Sequence, residues 1–114
     1  MGYILGEMKL LMLTNDINNY QTKLNNLMAT KADISTQMSA IASQMSGLDA
    51  NDQVVKQLNA KKAQFEAMEK RIDQQIKLYE SKLTQANNEL PQAEQMVAQG
   101  IKNSTPKYCG LNAA

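Results

Sequence analysis

Cys109 is the only cysteine in this 114-residue chain, and histidine is absent. A lone thiol excludes an internal disulfide framework, leaving a link between two chains under oxidising conditions or an incidental role. Without imidazole there is no His-based triad and no His metal site. The carboxylates are the remaining candidates for acid–base work, but they stand at surface helical spacing. Glu66 lies four residues before Lys70, and Asp73 four before Lys77, the order that favours ion pairing along one helix. There is no glycine-rich phosphate loop and no clustered set of carboxylates. These residue types point away from an enzyme and away from any cofactor, metal or small-molecule substrate.

Charge narrows the partners further. The net charge is +1, and Lys61-Lys62 and Lys70-Arg71 are interleaved with Glu66, Glu69 and Asp73. A dedicated nucleic-acid binder would show a basic face instead. Protein partners remain: a second copy of the chain or another helical protein.

The elements that carry these residues follow from composition and period. Five Gly and two Pro occur, with Gly2, Gly6 and Gly110 near the ends, and aromatics are limited to four Tyr and one Phe. Such a composition suits long uninterrupted helices rather than a β-domain. The organising stretch is Met45-Ser46-Gly47-Leu48-Asp49-Ala50-Asn51-Asp52. Gly47 can take the left-handed conformation that closes a helix, and Leu48 can fold back on the last turn. Asp52 or Asn51 can accept the free amides that open the next helix. The prediction is an all-α fold: two long helices in an antiparallel coiled-coil hairpin, helix 4–46, turn 47–51, helix 52–102. The hairpin fills residues 1–103, and residues 104–114 form a loose tail.

Apolar residues of the first helix recur in alternating steps of three and four: Leu10, Leu13, Ile17, Tyr20, Leu24, Leu27, Ile34, Met38, Ile41, Met45 and Leu48. That is the seam of a helix packed along its length. Lys31 alone interrupts it. In the second helix the series reads Val54, Leu58, Lys61, Phe65, Met68, Ile72, Ile76, Tyr79, Leu83, Ala86, Leu90, Ala93, Val97 and Ile101. Its two consecutive steps of four at 68-72-76 imply a stutter. Folding at the turn sets Ile34 opposite Phe65 and Leu27 opposite Ile72. Lys31 then falls beside Met68 and Glu69, and pairing with Glu69 would fix the register. Pro91 either kinks a continuous helix or breaks it at Asn87-Asn88.

Two features exceed what a hairpin needs. Through residue 46 there are only three basic and three acidic residues, and the outer positions are rich in Asn, Gln, Ser and Thr. Such a surface can pack against copies of itself without stranding charge in a dry interface. In addition, Tyr3, Ile4, Leu5, Met8, Leu11 and Met12 join Leu10 and Leu13 to cover every side of the helix, more than one partner helix can bury. They are the candidate interaction residues, with Tyr108 and Leu111 in the tail as further anchors. Residues 3–13 lack the basic polar face of a membrane-surface helix. No stretch is long and apolar enough to cross a bilayer, and Met1 to Leu5 lacks the positive lead of a cleavable signal peptide. The sequence leaves the compartment open between the cytoplasm and export without a cleaved signal.

Secreted hairpins of the type VII system carry Trp-x-Gly at the reversal, where this chain has Ser46-Gly47-Leu48 and no Trp. Prefoldin subunits need far more chain between their helices than Gly47 to Asn51. The Met1-Gly2 start leading into Leu11-Met12-Leu13-Thr14, the Asn/Gln-rich helix after it, and Gln85 to Asn88 with Gln92 to Gln99 give a closer likeness. In layout and composition they resemble short bacterial filament, rod and needle subunits exported by flagellar and type III machines. The resemblance spans most of the chain, contains no diagnostic motif and transfers no functional residue. It implies a structural, self-associating subunit of a secreted or surface-associated helical assembly. The alternative is a soluble coiled-coil adaptor or export chaperone that binds a partner helix.

Overall fold

The computed structural model describes the backbone of residues 2–113 and the side chains of residues 4–101. The fold is an antiparallel helical hairpin of α1 (Gly2–Met45) and α2 (Gln53–Ala113), with no strand among the described residues.

The reversal is built from local hydrogen bonds. Gly47 is the one described residue with positive φ, at 83°, so the left-handed step falls on the residue that lacks a Cβ. The Leu48 amide donates to the Met45 carbonyl at 3.1 Å. This bond reaches only three residues back, short of the wrap that folds an apolar side chain onto the last turn. Leu48 is accordingly exposed, contrary to the docking its position suggests. The Asn51 amide donates to Asp49 Oδ1 at 3.1 Å, and Asp52 caps α2 by accepting the Val54 amide at 2.9 Å.

α2 is longer than its pattern predicts. It continues to Ala113 through Gly100 and Pro106, where the sequence suggests an end near 102 and a loose tail. Gly100 stays outside the left-handed region, so the conformational stop is not used. The helix also runs unbroken through Pro91 rather than ending at Asn87-Asn88. Pro91 and Asn87, whose carbonyl loses its intrahelical partner, are both exposed, where water can take the freed acceptor.

Two compact units make up the chain: residues 23–79, and residues 1–22 together with 80–114. In the turn unit (23–79), Leu27, Ile34 and Ile72 are buried together, with Met38, Phe65, Ile76 and Tyr79 packed around them. The residues expected to face each other, Ile34 with Phe65 and Leu27 with Ile72, share this cluster. In the terminal unit, Leu13, Ala86 and Ala93 form the core, flanked by Leu10, Ile17, Tyr20 and Leu90. Ala93 is 0% exposed. A Cβ on Gly6 would stand 2.8 Å from the Val97 nitrogen and 2.9 Å from the Met96 carbonyl carbon, so the helices meet there backbone to backbone.

Burial also corrects the seam of α2. Val54 and Met68 are 49% and 41% exposed, and Lys61 is exposed. The residues turned inward are Val55, Leu58, Lys62, Phe65, Glu69, Ile72, Ile76, Tyr79, Leu83, Ala86, Leu90, Ala93, Val97 and Gly100. These alternate three and four throughout, so α2 has no stutter. Hydrophobicity favours Met68 over Glu69 and Lys61 over neither neighbour. An unbroken period is what places Lys62 and Glu69 beside the core instead. The ends of the seam shift in the same way, to Val55 and to Gly100 in place of Ile101.

Candidate interaction surface

The helical period of α1 separates an inner from an outer face. Gly6, Leu10, Leu13 and Ile17 look toward α2 and are buried or half-buried. Ile4, Leu5, Met8, Leu11 and Met12 occupy the opposite side, and each is between 57% and 63% exposed. They form one apolar stripe, because positions 4, 8, 11 and 5, 8, 12 follow steps of three and four. A shallow depression beside it is lined by Leu5, Met8, Lys9, Met12, Leu13, Asp16, Glu89 and Met96. Another, on the other flank of α1, is lined by Glu7, Leu10, Leu11 and Thr14. Of the sequence-predicted interaction residues, five thus lie on one surface. The side chains of Tyr3, Tyr108 and Leu111 lie outside the described residues.

Charge is distributed to match. In the terminal unit, the outer positions of α1 continue as Asn15, Asn18, Asn19 and Thr22, all exposed. Those of α2 are Thr84, Gln85, Asn88, Pro91, Gln92, Gln95, Ala98 and Gln99, also exposed. The charged residues of this unit's described helices (Glu7, Lys9, Asp16, Glu80, Lys82, Glu89 and Glu94) sit on the flanks beside the seam. Asp16, Lys82 and Glu89 line one depression there with Tyr20. Lys82 Nζ lies 5.9 Å from the centre of the Tyr20 ring, at the outer range of a cation–π contact.

The turn unit holds the predicted register residue. Lys31 Nζ donates to Asp73 Oδ1 at 2.6 Å, so its partner is Asp73 rather than Glu69. The reason is the corrected seam, which places Glu69 at an inner position and Asp73 on the flank that Lys31 reaches. Lys31 is held above its ordinary pKa of 10.5, first by this hydrogen bond and then by the Asp73 charge. Glu69 adds a weaker pull in the same direction, and desolvation opposes it. In the same unit Lys23 Nζ lies 6.0 Å from the Tyr79 ring centre.

Sequence reasoning singled out the apolar residues from Tyr3 to Leu13 as covering every side of α1, where the structure gathers five of them on one face, and it missed Gly6 as the point of closest approach. The available signal was spacing: Gly6 stands seven before Leu13, while Ala86, Ala93 and Gly100 stand seven apart on α2. Among the described residues, no three Asp, Glu or Cys side chains gather as a metal site would require, and no helix is long and apolar enough to cross a membrane. No protein-family model, curated protein or solved structure matches the chain.

Proposed function

We propose that the protein is a non-enzymatic structural protein, a self-associating helical hairpin that serves as a subunit of a secreted or surface-associated helical assembly. One observation carries the reading: an exposed apolar stripe, Ile4 to Met12, on the face of α1 that α2 leaves uncovered. Burying apolar surface drives association, and contiguous exposed patches mark interaction sites. The uncharged outer positions around it add little desolvation penalty on contact. A two-helix seam that uses Gly and Ala along one half offers a thin core, so further burial through association would stabilise it.

A second reading is an adaptor or export chaperone that cradles a partner helix. Met8, Met12 and Met96 around one depression favour it, since methionine adapts to varied apolar partners. Light scattering of the purified full chain across concentrations separates the two. Mass that rises with concentration supports the assembly subunit, and Leu5→Gln with Leu11→Gln should suppress that rise while leaving helicity intact. A fixed mass at every concentration, with tight capture of an amphipathic helical peptide, supports the adaptor instead.

A further inference from the structure

We infer that the stripe on α1 is covered by the same stripe of a second copy, with the two α1 helices parallel and in register. This rests on the self-association reading and adds an occupant, a direction and a register.

Successive residues of a helix are turned by roughly 100°. Centred on Met8, the exposed Ile4, Leu5, Leu11 and Met12 therefore fall within one face. Glu7 bounds that face on one edge and Lys9 on the other, and both are exposed. When two such faces meet with helices parallel, a two-fold axis along the pair brings Glu7 of one copy alongside Lys9 of its partner on both edges. When they meet antiparallel, the two Glu7 carboxylates share one edge and the two Lys9 ammonium groups share the other. Flanking charges of this kind set partner orientation in coiled coils while apolar contact supplies most of the affinity. The parallel arrangement is the one they favour.

The same face carries a second selector. From Met12 to Thr22 its exposed residues are Asn15, Asn19 and Thr22, with Asn18 at one edge, and Lys23 follows at the edge that carries Leu5 and Lys9. Parallel copies in register set amide opposite amide, and each Asn can both donate and accept. Antiparallel copies centred on Met8 would instead carry each of these amides away from its counterpart on the partner helix. A face that is apolar over its first turns and amide-rich over the next matches itself along its length in one direction only.

The test uses the full-length chain with Cys109→Ser, so that no native thiol interferes, and with Asn15→Cys. Parallel, in-register copies bring the two new thiols across the interface. Antiparallel copies centred on Met8 separate them by roughly 21 Å along the axis, beyond the ~7 Å between Cα atoms that a disulfide spans. The expected result is a disulfide-linked dimer whose yield rises with concentration and vanishes in the Leu5→Gln/Leu11→Gln background. Glu7→Lys should weaken dimerisation about three- to tenfold at low salt, and adding Lys9→Glu to it should restore it. Dimers seen by light scattering that fail to link through Asn15→Cys would overturn the orientation while leaving self-association intact. Monomer mass at every concentration would overturn both. Linking that persists without Leu5 and Leu11 would show that a different face is used.

Discussion

The two units of this hairpin differ in how their helices make contact. In residues 23–79 the core is made of large side chains (Leu27, Ile34, Phe65 and Ile72), with Lys31, Lys62 and Glu69 set half-buried among them. In residues 1–22 with 80–114 the buried positions are Leu13, Ala86, Ala93 and Gly6, with Leu10, Ile17, Tyr20 and Leu90 packed around them and the half-buried charges Asp16 and Glu89 at the edge of the seam. The first unit holds its helices together by filled volume. The second combines large side chains, Leu10, Leu13, Ile17, Tyr20 and Leu90, with close approach where Gly6, Ala86 and Ala93 stand. Ile4, Leu5, Met8, Leu11 and Met12 lie on the other face of the same helix, 57–63% exposed.

That contrast can be broken most directly at Ile34, which is 3% exposed. Ile34→Ala should cost about 2–5 kcal/mol, because a filled core loses both contacts and the transfer energy of the missing methylenes. Denaturant unfolding followed by circular dichroism measures it. Next in size, Gly6→Ala should cost about 1–3 kcal/mol, since the new methyl meets backbone atoms that cannot move aside as a side chain would. Faster amide exchange at Leu10 and Leu13 should accompany the loss. If adding one carbon at Gly6 proves harmless while Ile34→Ala remains costly, the terminal unit is not closely packed and the comparison fails.

The smallest effect belongs to Lys31. Its folded-state pKa is raised above the ordinary 10.5, so its contribution is fully present below that pH and is lost as pH rises through the folded value. Comparing thermal melts of the wild type and Lys31→Met should therefore show the difference shifting in favour of Lys31→Met as pH climbs past 10.5. A difference that stays flat across that range would remove the charge from the account of the turn unit.

Much of this was legible in sequence because α1 has a seam in which apolarity and period agree. From Leu10 to Met45 every predicted inner residue is buried or half-buried. In α2 the two signals conflict. Phe65 and Ile72 belong to both possible seams, and Met68 outweighs Glu69 on hydrophobicity, so the pattern suggested a stutter where the helix is regular. A charged residue with a long aliphatic stem can lie against a seam with its head at the edge, which no count of apolar residues registers. Gly6 was hidden for a related reason: a residue with no side chain has no hydrophobic signature, and its place shows only through the atoms it allows to approach. Ile4, Leu5, Met8, Leu11 and Met12 stood out because so many large apolar residues on one short stretch exceed what a single neighbour can cover, but that excess does not tell which face carries them.

The acidic flank that receives Lys31 is a ladder rather than a single rung. Glu66, Asp73 and Glu80 stand seven residues apart, so sliding one helix past the other by a full heptad would merely hand the ammonium from one carboxylate to the next. Salt bridging can therefore act as a detent but cannot choose among detents. The choice falls to the short tether at 46–52, whose Gly47 and Asp52 leave it no slack. Replacing that tether with a long glycine-rich loop should yield a hairpin that clicks between alignments instead of resting in one.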